Sequence, residues 1–313
     1  MKPDLLLIEP TMPRLAAVLE AAYQVHPLFA AEDRTAFLAK AGPSIRAVVT
    51  GGGTGVTPSV LDALAQVEIV AVFGVGLDAI DLDHARRRGI RVTNTPDVLT
   101  DDVADLGIAL WLAACRRLGE GERFVRDGSW EARKGLALAR KASGSRVGIL
   151  GLGRIGRAIA KRLEGFDCQI AYCDVRPAEG VSFRFAATPV ELAGSVDALI
   201  VAASGGAESR GVVDRAVLDA LGPRGLLINI SRGSCVDETA LVEALAQGRL
   251  GGAGLDVFVD EPRVPDALKS MDNVVLQPHR ASATTETRNA MADLVAENLA
   301  AHFAGREPPT RVV

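Results

Sequence analysis

Four cysteines, four histidines and a 4% aromatic content in 313 residues leave few of the groups that staple, ligate or stack. Cys115, Cys168, Cys173 and Cys235 contain no Cys-x-x-Cys pair, so neither a disulfide framework nor a metal site is expected. Reduced, mostly buried thiols read as a cytoplasmic protein. A weak redox role stays open only for Cys235, because of its neighbours described below. Long basic runs are also missing. The longest is Arg86-Arg87-Arg88, and the formal net charge is −4, which argues against nucleic-acid or membrane-surface partners. No stretch reaches the ~18 uncharged apolar residues of a membrane-spanning helix. Met1-Lys2-Pro3-Asp4-Leu5 is too acidic, and its apolar run too short, for a signal peptide. What is present is ordinary globular material, 48% hydrophobic and 24% charged, and long enough for about two domains.

Short apolar runs closed by turn residues recur along the chain. Leu5 to Ile8 ends at Glu9-Pro10, and Ala47 to Thr50 ends at Gly51-Gly52-Gly53. Ile69 to Phe73 ends at Gly74-Val75-Gly76, and Ile90 to Thr93 ends at Asn94-Thr95-Pro96. Strands alternating with helical segments predict parallel βα units, so the first ~98 residues read as one small α/β domain. A helical stretch then starts near Thr100-Asp101-Asp102, which can cap it. Val103 to Cys115 carries one charge, Asp105, so this helix is expected to be buried. The helical part is expected to end at Asp127-Gly128-Ser129-Trp130.

From Arg146 the alternation restarts with Val147 to Leu150. It continues through Ile170 to Cys173, Ala198 to Ala202, Leu226 to Ile230, Gly254 to Val257 and Val274 to Leu276. These runs suit central parallel strands covered on both faces. A last helix spans about Thr284 to Ala304, with Glu286, Arg288, Asp293 and Glu297 expected on its outer face. His26, His84 and His302 are expected at the surface.

Gly151-Leu152-Gly153-Arg154-Ile155-Gly156 follows a strand and opens a helix. The first glycine permits the tight turn, the second lets a pyrophosphate approach, and the third lets helix and strand pack closely. The helix N-terminus offers free N–H groups to phosphate. Asp174 stands eighteen residues beyond Gly156, at the end of the next strand. There a carboxylate can bind the adenosine ribose hydroxyls and disfavour a 2′-phosphate. NAD(H) is therefore favoured, and Arg176 leaves NADP(H) possible.

Three ionisable residues follow later strands: Arg232 in Ser231-Arg232-Gly233, Glu261 in Asp260-Glu261-Pro262, and His279 in Pro278-His279-Arg280. Residues past the carboxyl ends of strands in a doubly wound sheet share one crevice with the ligand. Reduction of a 2-keto acid needs a hydride on carbon and a proton on oxygen. His279 is the candidate proton donor, and Glu261 would hold the ring and stabilise the imidazolium. Arg232 would bind carboxylate or carbonyl oxygen through its planar fork.

These segments, together with Gly74 to Asp78, Val103-Ala104-Asp105, Asn229 to Gly233, Gly254 to Phe258 and Pro278-His279, resemble the D-isomer-specific 2-hydroxyacid dehydrogenase family over nearly the whole chain. The stretches Ile69 to Asp81 and Asn94 to Val103 look closest to its glyoxylate/hydroxypyruvate reductase branch, which includes hydroxyphenylpyruvate reductases. The resemblance implies two Rossmann-like domains. A flavodoxin-like substrate domain comprises residues 1–98 and 284–313, and a dinucleotide-binding domain, residues 99–283, is inserted into it.

The resemblance also implies catalysis by Arg232, Glu261 and His279, and substrate binding by the N–H groups of Val75 and Gly76. Val103, Ile230 and Asp256 would join the glycine loop and Asp174 in holding NAD(P)H. It implies a homodimer built largely on the nucleotide domain and the arm around Trp130. The expected activity is reduction of a small 2-keto acid, glyoxylate or hydroxypyruvate first, to the D-2-hydroxy acid. Aromatic keto acids are the alternative, with Leu77 and the loop near Leu136 lining an apolar pocket. A nucleotide-sensing binding protein of the same fold is a further one. Two positions depart from the family pattern. Arg280-Ala281 replaces an Ile-Gly after the histidine, and Ser204 replaces a frequent proline over the cofactor.

Overall fold

The computed structural model describes residues 2–313. The chain forms two compact units, the residues up to Leu99 with Ala283–Val313, and Thr100–Ser282. The first is built on five strands: β1 (Asp4–Leu7), β2 (Gln24–Pro27), β3 (Ile45–Gly51), β4 (Ile69–Phe73) and β5 (Arg91–Thr93). They are all parallel, in the order β2-β1-β3-β4-β5, which is the flavodoxin-like order. Successive side chains of a strand point to opposite faces. Leu6, Val48 and Val70 therefore enter one core with Ile80 and Ala85. Leu5, Leu7, Val49 and Ala71 enter the other, beneath Val295 and Leu299 of the last helix.

The second unit holds seven strands: β6 (Arg146–Leu150), β7 (Gln169–Cys173), β8 (Arg184–Phe185), β9 (Ala198–Val201), β10 (Leu226–Asn229), β11 (Gly252–Leu255) and β12 (Val274–Leu276). Their order, β12-β11-β10-β9-β6-β7-β8, is parallel throughout. It is the dinucleotide-binding order with one added edge strand. The connection reverses between β6 and β9, and ligand crevices form beyond the carboxyl ends of strands at such a switch.

The apolar helix Thr100–Arg116 buries Val103, Ala104, Gly107, Ile108, Leu110, Trp111 and Cys115. Glycines allow its close approach to the sheet and its neighbour. A Cβ on Gly254 of β11 would stand 3.0 Å from Leu110 Cβ, and one on Gly107 3.5 Å from Ile159. Trp111 is fully buried and meets Phe166 edge-on, with ring centroids 5.4 Å apart.

Several local expectations are corrected. The helical stretch is broken: Arg117 takes a left-handed φ of 52°, and a separate helix runs Leu118–Arg126. The polar edge strands β2 and β8 carry no apolar run and went unpredicted. The last helix is Thr285–Phe303, capped by the Thr284 hydroxyl accepting the Thr287 N–H. Arg288 does not face outward. It is half-buried, with its guanidinium 5.5 Å from the centre of the Phe73 ring. The His302 side chain is turned inward too, with only 8% of it exposed. Its Nε2 lies 3.0 Å from Glu68 and its Nδ1 3.2 Å from Arg91. An arginine can only donate, so the ring accepts at Nδ1 and donates at Nε2, which ties the last helix to the β4–β5 side of the sheet.

Candidate active site

The glycine loop leaves β6 at the switch point. Gly151 has φ 93°, and a Cβ there would lie 2.6 Å from Ala203 Cα, so the turn tolerates no side chain. A Cβ on Gly156 would collide with the Gly151 carbonyl oxygen. Gly153 differs, because nothing lies within 4 Å of where its Cβ would stand. Helix Arg154–Glu164 starts there without a side-chain cap. An uncapped helix start beside a bare backbone is a ready anion site. Asp174, next after β7, is fixed by the loop itself: it accepts the Leu152 N–H at 2.7 Å and the Val175 N–H at 2.7 Å. The loop's form therefore fits a dinucleotide, with phosphates at the helix start and a carboxylate at the ribose position.

Beyond β10, β11 and β12 the structure gathers the three ionisable residues' loops. Asn229 ends β10 and ties the Arg232 loop, accepting the Ser231 N–H at 3.1 Å and donating to the Arg232 carbonyl at 2.9 Å. Gly233 lies against the Phe258 backbone, where a Cβ would collide. Phe258 in turn donates its N–H to Glu261 at 3.0 Å. The second Glu261 oxygen meets His279 Nδ1 at 2.6 Å. Burial would raise the Glu261 carboxyl. The hydrogen bonds from His279 and Phe258 and the positive charges of His279 and Arg232 outweigh it and hold the group below the usual carboxylate range.

A carboxylate only accepts, so His279 Nδ1 carries the proton in this contact. Nε2 has no hydrogen-bond partner among the described residues, and the side chain is 40% exposed. His279 itself has φ 49°, a left-handed conformation that costs a side-chain-bearing residue about 1–2 kcal/mol. Asp256, fully buried, holds it there. Its carboxylate accepts the Arg280 N–H at 2.7 Å and the Ala281 N–H at 3.0 Å, and its carbonyl accepts the His279 N–H at 2.8 Å. Burial raises the Asp256 carboxyl despite these bonds. Arg280, the departure noted above, points its side chain to solvent and serves here through its backbone.

Val103 and Ile230, expected near a cofactor, are both buried. Cys235 is fully buried beside the Ser231 hydroxyl at 3.5 Å, so it packs as a small apolar group. Ser204 is exposed, and its carbonyl accepts the Ser209 hydroxyl at 2.6 Å. Asn229, Phe258 and Gly233 were not singled out as supports. Gly233 was the detectable one, because a glycine next to a functional arginine signals close backbone approach.

In the first unit, Val75 and Gly76 follow β4. The Val75 carbonyl accepts Asn94 Nδ2 at 2.9 Å, and the Gly74 carbonyl accepts the Thr95 N–H at 2.9 Å. Neither the Val75 nor the Gly76 N–H has an acceptor among the described residues. Two adjacent free amides on an anchored turn form a nest for an anion such as a carboxylate.

Residues 108–281 match the family described as D-isomer specific 2-hydroxyacid dehydrogenase, NAD binding domain. The chain is 52% identical over 277 residues to hydroxyphenylpyruvate reductase of Plectranthus scutellarioides, covering 88% of each. It is 49% identical over 308 residues to glyoxylate/hydroxypyruvate reductase A of Arabidopsis thaliana, covering 98% of each. It is 45% identical over 312 residues to 2-ketogluconate reductase of Gluconobacter oxydans, covering 100% of this chain and 99% of that protein. Among solved structures, an NADPH-dependent glyoxylate/hydroxypyruvate reductase from Sinorhizobium meliloti, in complex with NADP and malonate, superposes with a TM-score of 0.92 at 43% identity, covering 100% of this chain and 97% of that one. With both sheets in the expected order and relatives this similar along its whole length, the chain belongs to the D-isomer-specific 2-hydroxyacid dehydrogenase family.

Proposed function

We propose that this protein is an NAD(P)H-dependent reductase of small 2-keto acids, glyoxylate and hydroxypyruvate first, yielding the D-2-hydroxy acid. One observation carries the reading: His279 is tied through Nδ1 to a depressed carboxylate, with Nε2 free, beyond the carboxyl ends of the same parallel sheet that carries the glycine loop. When bound, the nicotinamide dinucleotide supplies the hydride. Gly151, Gly153, Arg154, Ile155 and Gly156 hold its phosphates and Asp174 its ribose, while Val103, Ile230 and Asp256 serve its nicotinamide end. Asp174 favours NAD(H) over NADP(H), although the Sinorhizobium relative is named NADPH-dependent.

The chain's own residues do the rest. The Val75 and Gly76 N–H groups bind the substrate carboxylate, and Arg232 polarises the carbonyl oxygen through its guanidinium. His279 delivers the proton from Nε2 as negative charge develops on that oxygen. Glu261 compensates the imidazolium and fixes the ring's orientation. The free thiols suit a reducing cytoplasm. Apolar side chains exposed on the second unit, Trp130 at 70%, Leu138 at 95% and Leu118 at 56%, support a homodimer.

The direct test follows absorbance at 340 nm with glyoxylate, hydroxypyruvate, hydroxyphenylpyruvate and pyruvate, each with NADH and NADPH. Oxidation with glyoxylate and hydroxypyruvate, faster with NADH, is expected. Cofactor binding without oxidation of any would turn the reading towards a nucleotide sensor. His279→Ala should lower kcat by about 10²–10⁴-fold while NADH still binds, as followed by its fluorescence; unchanged turnover removes His279 from the mechanism.

Glu261 sits below its ordinary range when folded, so its ionised contribution is complete above the unfolded value of about 4.3. It is lost as pH falls through the lower folded value. The stability gap between wild type and Glu261→Gln should therefore narrow in denaturant titrations below about pH 4. A gap that widens there contradicts the pairing. Light scattering should give twice the 32.8 kDa chain mass; a single-chain mass excludes the dimer.

A further inference from the structure

The two free amides after β4 belong to peptide units that are gripped from behind. A trans peptide is planar, with its C=O and N–H pointing to opposite sides. The Val75 N–H shares its plane with the Gly74 carbonyl, and the Gly76 N–H shares its plane with the Val75 carbonyl. The Thr95 N–H donates to the first carbonyl at 2.9 Å, and Asn94 Nδ2 donates to the second at 2.9 Å. Pinning both carbonyls on one side aims both N–H groups to the other. The grip is needed because Gly74 and Gly76 flank Val75, and glycine leaves the adjoining peptide planes free to rotate. Donation to a carbonyl also polarises its peptide, which makes the N–H a stronger donor.

Asn94 is itself placed by a residue far along the chain. It follows β5, an edge strand of its sheet. Residues 310–313 lie antiparallel along that edge. The Val312 N–H donates to the Val92 carbonyl at 2.8 Å, Thr93 bridges Arg311, and Val313 packs against the core. Thr310 holds both backbone groups of Asn94. Its carbonyl accepts the Asn94 N–H at 3.5 Å, and its hydroxyl donates to the Asn94 carbonyl at 2.6 Å.

Behind Thr310 stands Asn298 of the last helix, with no exposure. The donors and acceptors leave one arrangement. The Thr310 N–H can only donate, so Asn298 Oδ1 faces it at 3.1 Å. Nδ2 then donates to the Thr310 hydroxyl at 2.7 Å and to the Leu294 carbonyl at 2.9 Å. The hydroxyl accepts from the amide, so its single proton goes to the Asn94 carbonyl. A buried polar group satisfied in this way rigidifies its surroundings and specifies one geometry. Apolar contacts alone would hold residues 310–313 on the edge without fixing their register.

We propose that Asn94 is a positioning residue for substrate binding: it orients the Gly76 amide towards the carboxylate of the keto acid, and the Asn298–Thr310 clamp sets Asn94. The proposal rests on the reading that Val75 and Gly76 bind that carboxylate.

The test measures glyoxylate kinetics at saturating NAD(P)H in wild type, Asn94→Leu, Asn94→Asp, Thr310→Val, Thr310→Ser and the variant combining Asn94→Leu with Thr310→Val. Asn94→Leu should raise KM about three- to tenfold, the scale of one lost hydrogen bond, while kcat changes less. Asn94→Asp keeps the shape and lacks the donor, so it should raise KM at least as much, and it reports even where Asn94→Leu does not fold. Thr310→Val should raise KM in the same direction, and Thr310→Ser, which keeps the hydroxyl, should restore it. The combined variant should match Asn94→Leu alone, because Thr310 acts through Asn94. A merely structural role would lower the melting temperature without separating KM from kcat. An unchanged KM in the Asn94 variants, or additive effects in the combined one, overturns the proposal. The carboxylate reading is tested apart, in wild type, by proton–nitrogen correlation spectra. Oxamate keeps the carboxylate and carbonyl of glyoxylate and is not reduced, so it should shift the Val75 and Gly76 amide resonances. No shift at either overturns that reading and the proposal together; a shift with unchanged KM in the Asn94 variants overturns the proposal alone.

Discussion

A buried carboxylate facing two backbone N–H groups holds the candidate site of the second unit in place. Asp256 has no exposure, and burial works against its charge. The N–H groups of Arg280 and Ala281 answer that charge, and in doing so they fold the chain after β12 back over the end of β11. The return places His279 in a left-handed conformation that a histidine would not choose. Strain of this kind persists only where the surroundings over-determine it. Here they do, because the His279 amide is also bound to the Asp256 carbonyl. The imidazole is thus aimed by its backbone before its side chain makes any contact.

Glu261 completes the aiming. It reaches His279 from the loop after β11, and its second oxygen is taken by the Phe258 amide. That loop can lie beside the one carrying Arg232 only because residue 233 has no side chain. Three loops from three adjacent strands therefore lock one another. The arginine charge is felt at Glu261, so the cation, the anion and the ring form one electrostatic group. Such preorganisation lets donors face a developing oxyanion without rearranging.

Much of this was legible in the sequence, for a physical reason. Central parallel strands are buried on both faces, so they appear as short apolar runs such as Leu226–Asn229 and Ile69–Phe73, and the turns after them hold the residues with chemistry. Two of the four edge strands escape the same logic. Gln24–Pro27 is paired on one side only and reads as polar coil, and Arg184–Phe185 is two residues long. The helix break falls on Arg117 itself, and the nearby glycines, Gly119 and Gly121, lie inside the next helix rather than at the break. Arg288 and His302 were misassigned because charge suggests solvent, whereas an aromatic face accepts the guanidinium of the first and a carboxylate with a guanidinium brackets the ring of the second. Asp256 was legible as a residue but not as a support, since its partners stand 24 and 25 residues further on.

The glycines show how one residue type supports two kinds of recognition. Gly151 and Gly156 are demanded by contacts already present, with Ala203 and with Gly151 itself. Gly153 is demanded by nothing in the chain, so the bareness of its backbone has meaning only towards a ligand. Gly51 belongs to the first kind by its clash with Glu9. Yet what it protects is a carboxylate that lines a cavity shared with Arg288. A side chain at residue 51 would displace that carboxylate, so the glycine sets where the charge stands.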